Sequence, residues 1–247
     1  MKAEYLKDFH VHLDLIKSSI DRVLSFIKIA IKVPESVDDI LRAAVVLNHA
    51  YLEDFLRTLG TVFLPNADVS VLDNVPLAGS GTRNRTEKFS LGKLAQYRGK
   101  MVDDVIRISV LEDLERRSFN SVTEMISFLE TIGVTPTNGD WNSDLENLSQ
   151  AVQENCGGMA ALEEMIRRRH NIVHRADKTK GGDGLEPLSF DDFEVWRRTT
   201  YIFMTVVAQA SHSKLHGFDV MVKKLKDKGL KLNIDPEKVA AHLREHR

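Results

Sequence analysis

The chain has 247 residues, of which 43% are hydrophobic and 28% charged, as in a packed globular protein rather than a disordered one. Its formal net charge of −2 supplies no global positive field, so any nucleic-acid binding must come from local basic clusters. The single cysteine, Cys156, excludes an internal disulfide and a multi-cysteine zinc site. The first residues lack a signal-peptide pattern and no apolar run is long enough to span a membrane, so we expect a cytoplasmic protein.

Helical spacing of apolar residues is the main pattern at the start of the chain. It predicts a first helix over residues 6–31. Ser36 is a suitable N-cap for a second helix, because Asp38 and Asp39 then lie in its first turn, where the helix dipole favours negative charge. We expect this helix to end at about Leu59, with Gly60 as its terminator.

Turn-forming residues follow the second helix and predict a long loop over Leu64–Phe89. Helical spacing resumes near Leu91 and continues to Leu114. Asn120 or Ser121 is expected to cap the next helix, which ends at Gly133.

The second half of the chain repeats this alternation of helices and turns. Ser143 is expected to open a helix, and the glycine pair 157–158 separates it from a helix over Met159–Arg175. Ser189 then caps a long helix, and Asp235-Pro236 begins a C-terminal one. No alternating apolar pattern demands a sheet, so the predicted fold class is all-α.

We divide the chain into three parts on this basis. Residues 1–34 are expected to form an N-terminal helix that packs on a bundle, and residues 35–215 the bundle itself. Residues 216–247 are expected to form a helical C-terminal extension.

Arg169 is the unusual residue of the Met159–Arg175 helix, because helical spacing places it inside an apolar stripe. The residues of this predicted buried stripe are Leu162, Met165, Ile166, Ile172 and Val173. A charge in such a position is costly unless an anion meets it. That anion is either a buried carboxylate in a structural ion pair or a phosphate, onto which a guanidinium forks well.

Polar residues near Arg169 are suited to chemistry on such a phosphate. Histidine in general titrates near neutral pH, so His174 is a candidate for acid–base catalysis, although a lone histidine at a helix end is often only a cap or a surface residue. Asn171 adds a donor and an acceptor between the two. The neighbouring Arg167, Arg168 and Arg175 are able to hold an RNA backbone, or else form an ordinary solvated face.

The segment Arg169-His170-Asn171-Ile172-Val173-His174 resembles the R-x4-6-H signature of HEPN proteins, with the polar residue that often follows the arginine. The resemblance is to the RiboL-PSP-HEPN branch and covers about residues 40 to 210. Three further parts of the chain carry it, namely the helix Val45–Arg57, the segment Lys88–Gly92 and the turn Ser118–Asn120, together with Arg168–Asp177 around the signature. It implies an up-and-down helical bundle.

For function, the resemblance implies metal-independent RNA cleavage, in which a ribose 2′-hydroxyl attacks the neighbouring phosphorus. His174 would then handle the proton, and Arg169 would offset charge on the phosphoryl oxygens. Asn171 and His170 would orient the substrate or the catalytic histidine. No cofactor is implied. The expected partners are an RNA substrate and a second copy of the chain through the motif helix, with an antitoxin or other defence component as a further candidate.

Glu53 is a candidate ion-pair partner for Arg169, because HEPN helices often place an acidic residue near the motif. It shares a helix face with His49, four residues earlier. The plainer interpretation of His49 and Glu53 is an exposed helix pair, and the sequence does not separate the two.

Other chemistries fit the sequence less well. His170 and His174 have the spacing of a helical zinc site, but Asn171 stands where a metalloprotease needs glutamate, and no third ligand is evident. Glycine-rich runs near residues 79–82 and 181–184 lack the context of a phosphate-binding loop. The main alternative is a non-catalytic HEPN module that binds RNA, nucleotide or a protein partner.

Overall fold

The structure is a computed structural model that describes residues 37–78, 99–179, 181 and 184–216, with isolated positions before residue 37. Its α-helices are α1 (Val37–Phe63), α2 (Val69–Leu72), α3 (Val102–Arg116), α4 (Val122–Thr131), α5 (Trp141–Val152), α6 (Gly158–Arg175) and α7 (Phe190–His216). The one β-type pairing in the described part is an isolated bridge between Lys178 and Leu185. The all-α prediction is therefore confirmed.

Helix α1 lies at the centre of the bundle and contacts α3, α6 and α7. Its core-facing side chains are all buried: Leu41, Ala44, Val45, Leu52, Phe55, Leu56 and Leu59. Burying one large aliphatic or aromatic side chain contributes about 1.5–3 kcal/mol, so this face supplies a large share of the driving force for folding. Asp38 and Asp39 occupy the first turn, as the sequence predicted.

Gly60 does not terminate α1, which continues to Phe63. The glycine lies inside the helix, where a Cβ atom would come within 2.6 Å of Leu114 Cδ2 and 2.9 Å of Phe128 Cζ. Close packing against α3 and α4 therefore requires the missing side chain. The predicted role of Gly60 as a C-terminal signal was wrong because these two neighbours come from distant parts of the chain.

The N-caps of the later helices follow local sequence rules. Ser121 Oγ accepts a hydrogen bond from the Glu124 amide at 3.1 Å and begins α4. Ser189 Oγ accepts one from the Asp192 amide at 3.0 Å and begins α7. The cap of α5 is Asp140 and not Ser143. The Asp140 carboxylate accepts the Ser143 amide, so Ser143 already lies in the first turn.

The predicted loop over Leu64–Phe89 needs correction in its first half. A 3-10 turn at Leu64–Asn66 and the short helix α2 continue the chain directly from α1. Helix α3 begins at Val102, and the predicted helical start near Leu91 lies outside the described residues. Residues 79–98 lie outside the described residues, as does nearly all of the predicted N-terminal helix over 1–34 and the predicted C-terminal extension after residue 216.

Helices α1 and α6 run in opposite directions, and their contacts set the register of the site. Asn48 on α1 donates to Thr200 Oγ1 on α7 at 2.9 Å, and its Nδ2 lies 3.0 Å from Met165 Sδ on α6. Arg42, earlier on α1, contacts Asp177 just beyond the end of α6. The C-terminal half of α6 therefore lies along the first half of α1.

Candidate functional site

Helix α6 carries the predicted motif, and its apolar stripe is only partly buried. Leu162, Met165 and Ile166 are buried and Ile172 is half-buried, as predicted. Val173 is 47% exposed, so its assignment to the buried stripe was wrong. The core lies under the first turns of α6, while the last turn, which contains His174, reaches solvent. The motif therefore spans the boundary between core and surface.

Arg169 lies at that boundary. The residue is half-buried, and its Nε atom is buried without a hydrogen-bond partner in the part of the chain that the structure describes. No carboxylate of the described residues forms an ion pair with its guanidinium. The structural ion pair that the sequence left open for Arg169 is therefore not seen in this part of the chain. A partly buried cation without a counter-charge favours an external anion.

Arg168, the preceding residue, has the buried ion pair instead. Its Nη2 donates to Asp177 Oδ2 at 2.8 Å, and its Nη1 lies 3.2 Å from Glu186 Oε2. Arg42 Nε donates to the same Asp177 oxygen at 2.7 Å. Asp177 is fully buried and Arg168 is 7% exposed. We therefore assign Arg168 to the structure of the chain rather than to substrate binding.

The Arg168 cluster depends on the way the chain leaves α6. Ala176 and Asp177 both adopt left-handed backbone conformations, with φ of 49° and 57°. The Asp177 amide donates back to the Asn171 carbonyl at 3.1 Å, and its carbonyl accepts the Glu186 amide at 2.8 Å. This turn folds the carboxylate of Asp177 back under the helix, where it meets Arg168.

The remaining motif residues lie at the accessible end of α6. His170 and His174 are exposed, and their ring centroids are 4.5 Å apart with the planes tilted by 48°. Asn171 is half-buried. Arg175 is exposed, and so is Arg167, which lies 3.8 Å from Glu164. A helix turns about 100° per residue, so Arg169 and His174 point about 140° apart on one ideal helix.

His49 is buried rather than exposed, at 1% of its surface. Its Nε2 donates to the Phe119 carbonyl at 2.9 Å, while Nδ1 is buried and has no partner among the described residues. Burial is the largest influence on the pKa of His49 and lowers it from the ordinary value of 6.5. The positive charge of Arg169 also lowers this pKa.

Glu53 is also buried, so the interpretation of His49 and Glu53 as an exposed pair was wrong. Glu53 Oε1 accepts the Phe119 amide at 2.9 Å, and Oε2 lies 3.4 Å from Arg57 Nη2. Arg57 in turn donates to the Arg117 carbonyl at 2.7 Å. In this structure Glu53 is thus paired with Arg57 and the turn after α3, and not with Arg169.

The described residues contain no candidate metal site and no candidate membrane-spanning helix. No group of three or more His, Cys, Asp or Glu side chains there is placed to hold a metal ion. No helix in the same part of the chain is long and apolar enough to cross a membrane. Cys156 is partly rather than fully buried, with Sγ 3.9 Å from the Leu145 carbonyl.

Sequence reasoning missed the residues that surround the motif. Arg42, Asp177 and Glu186 form the cluster around Arg168, and Asn48 joins three helices. Asn48 and Asp177 do lie in segments that carry the family resemblance. The available signals were Arg42 and Asn48, which lie among apolar residues of the first half of α1, since buried polar groups need partners.

Comparison with known proteins gives one family. A family model described as RiboL-PSP-HEPN matches residues 14–211. No curated protein and no solved structure matches the chain at a significant level. The match includes α1, both sides of the Arg168 cluster and the whole of the motif on α6.

Proposed function

Because the chain belongs to the RiboL-PSP-HEPN family, we propose that it is a metal-independent endoribonuclease. Membership of this family supports an RNase-like or nucleotide-binding module. Within that class, we propose that Arg169, Asn171 and His174 carry out the reaction. His170 and Arg175 support the substrate beside them, whereas His49 and Glu53 support the site from beneath.

In the proposed reaction, a ribose 2′-oxygen forms a bond to the adjacent phosphorus and the bond to the 5′-oxygen breaks. The 2′-hydroxyl proton passes to a base and the 5′-oxygen gains a proton, leaving a 2′,3′-cyclic phosphate and a 5′-hydroxyl. His174 handles proton transfer, for which an exposed imidazole is well suited. Arg169 stabilises the charge that develops on the phosphoryl oxygens.

The observation that carries the proposal is the unpaired charge of Arg169. Arg168 beside it has Asp177 and Glu186 as counter-ions, whereas Arg169 has no carboxylate among the described residues. Desolvating a guanidinium without a counter-ion is costly, so the arrangement is stabilised when an anion arrives. A phosphate fits, because it presents several oxygens to a forked donor.

We further propose that the working unit is a homodimer with the two α6 helices facing each other. Arg169 and His174 of one helix point in different directions, and a two-fold axis lets side chains of both helices line one cleft. Exposed Val173 lies on the same last turn and would be covered in this arrangement. Light scattering should give about twice the mass of the 27.9 kDa chain.

Shared sites are tested by mixing two inactive variants. Arg169→Ala and His174→Ala subunits, once exchanged, should form heterodimers in which one composite site is intact. Partial recovery of RNA cleavage is then expected. A fully active monomer would contradict the proposed shared site. Arg169 and His174 of one bent helix would then have to act together.

The reaction is tested with purified protein and a labelled single-stranded RNA in excess EDTA. Cleavage should persist, and the products should carry cyclic-phosphate ends. A matched RNA with 2′-O-methyl groups and a DNA of the same sequence should both remain intact, because neither offers a free 2′-hydroxyl. Strict dependence on added Mg²⁺ or Mn²⁺, or efficient cutting of the DNA, would contradict the proposal.

A second candidate is a non-catalytic module that binds RNA, nucleotide or a protein partner. The divergence of Arg169 and His174 around one helix favours it if the chain is monomeric. In that case RNA binding should depend on Arg169, while no cleavage is seen under any condition. Toxin-like action is the narrower form of the nuclease proposal, and co-purification with an antitoxin or defence component would support it.

A further inference from the structure

Two buried polar atoms that lack partners among the described residues belong to helices that pack together beneath the motif. One is Nδ1 of His49 on α1, and the other is Nε of Arg169 on α6. The contact of Asn48 with Met165 brings the neighbouring turns of these helices together. Arg169 is four residues beyond Met165, on the same side of α6, and its charge acts on His49.

The hydrogen-bonding capacities of these two atoms are complementary. A carbonyl only accepts, so the bond to Phe119 requires His49 Nε2 to carry the proton. In the neutral imidazole Nδ1 is then an acceptor. The Nε of an arginine is always a donor. A buried donor and a buried acceptor, neither with a partner in the described part of the chain, therefore lie on two helices that pack together.

We propose that His49 is a positioning residue for Arg169, whose Nε–H donates to His49 Nδ1 when the guanidinium binds a phosphate. This inference rests on the proposed role of Arg169 in RNA binding. The contact holds the inner edge of the guanidinium, so both Nη groups are directed at phosphate oxygens. The Phe119 carbonyl fixes the imidazole in the tautomer that this contact needs.

The charged groups around His49 are consistent with a neutral imidazole. Arg169 and Arg57 disfavour its protonation, whereas Glu53 favours it. Glu53 is already held by the Phe119 amide and by Arg57. Protonation would place a second N–H at Nδ1, opposite the Arg169 donor. The contact with Arg169 is therefore expected at neutral pH and lost in acid.

Two substitutions separate positioning from support of the fold. His49→Gln keeps a donor near Nε2 for the Phe119 carbonyl but has no acceptor at Nδ1. His49→Asn keeps a polar group near Nδ1 but loses the bond to Phe119. If His49 positions Arg169, His49→Gln should stay folded and weaken RNA binding by about tenfold to a hundredfold. A purely structural His49 predicts near-normal RNA binding by a folded His49→Gln.

Arg169→Lys supplies the complementary test, because lysine keeps the charge and has no Nε–H. It should weaken binding at least as much as His49→Gln, because lysine also loses the two Nη groups that meet the phosphate. The double variant should lose little more than Arg169→Lys alone, since the contact that His49→Gln removes is already absent. Fully additive losses would overturn the inference.

An NMR measurement makes the result independent of catalysis. A 2′-O-methyl RNA is added to the protein, and the resonances of Arg169 Nε–H and of the His49 ring are followed. Both should shift with the same dissociation constant, and the Arg169 shift should vanish in His49→Gln. If RNA binds without this response, the inference fails. If the response is present but natural RNA is not cleaved, the proposed nuclease activity fails and the contact stands.

Discussion

Arg168 and Arg169 are consecutive residues of one helix, yet their surroundings are opposite. Arg168 points to a buried cluster in which Asp177 and Glu186 supply its counter-charge and Asp177 is shared with Arg42, although Arg168 Nε and Asp177 Oδ1 have no hydrogen-bond partner among the described residues. Arg169 points about 100° away around the helix and meets no carboxylate among the described residues. The same residue type is thus a structural ion-pair partner at position 168 and a candidate anion-binding group at position 169.

The difference shows how a functional arginine is recognised in a buried setting. Exposure does not distinguish the two, because both are at least partly removed from water. The counter-charge does. Arg168 is neutralised within the chain, so its removal should affect stability first. Arg169 is not, so we expect its removal to affect anion binding first.

The largest expected effect is the loss of RNA cleavage on changing Arg169 or His174 to alanine. Each variant should stay folded and lose ~10²–10⁴-fold in rate, because each removes a group that acts on the reacting phosphate. The measurement is the initial rate of RNA cleavage, with circular dichroism to confirm folding.

Arg107→Ala is the matched control, since Arg107 is an exposed arginine on α3. It should keep wild-type activity. Normal turnover in a well-folded His174→Ala protein would contradict the proposed role of His174 in proton transfer. If Arg169→Ala unfolds, Arg169 is needed for the fold as Arg168 is, and the proposed contrast between the two residues is wrong.

The next effect is on stability, and Asp177→Asn tests it. The amide keeps the shape of the side chain and tolerates the left-handed backbone, but it leaves Arg42 and Arg168 without a shared anion. We expect a loss of about 3–5 kcal/mol in the free energy of unfolding, measured by urea titration.

Asp39→Asn is the control for this measurement. Asp39 lies 3.5 Å from the same Arg42, but its side chain is 80% exposed, so its pairing is screened by water. The expected loss is about 0–1 kcal/mol. Equal losses in the two variants would show that the buried cluster contributes no more to the free energy of unfolding than an exposed ion pair does.

How much of this was predictable depends on how local each signal is. The N-caps at Ser121 and Ser189 and the all-α pattern need only neighbouring residues, and they were predicted. The helical role of Gly60 depends on Leu114 and Phe128, which no local rule identifies. At that position, glycine is required by close packing between helices rather than as a helix terminator.

The candidate site shows the same limit. Periodicity placed Arg169 on the core side of α6, and the structure finds it half-buried. It could not place Asp177, because two non-glycine residues in left-handed conformation fold this carboxylate back under the helix. Periodicity also could not predict that His49 and Glu53 are buried, because their shared partner Phe119 is remote in sequence.

The smallest predicted effect concerns the pH dependence of stability, and it is due to His49. The pKa of His49 in the folded protein lies below its ordinary value of 6.5, chiefly because of burial. The folded state therefore binds fewer protons than the unfolded state between these two pKa values. Its stability is fully present above about pH 6.5 and is lost as the pH falls from there toward the folded-state pKa.

Each unit by which burial lowers this pKa corresponds to about 1.4 kcal/mol of stability at neutral pH. The measurement is the free energy of unfolding at several values between pH 7 and about pH 5, in wild-type and His49→Gln protein. The other histidines are present in both proteins, so the difference between the curves isolates the contribution of His49. The wild type should lose more stability in acid than His49→Gln. Parallel curves would mean that His49 is protonated as readily in the fold as in the unfolded chain, and that the buried Nδ1 is not held as a neutral acceptor facing Arg169.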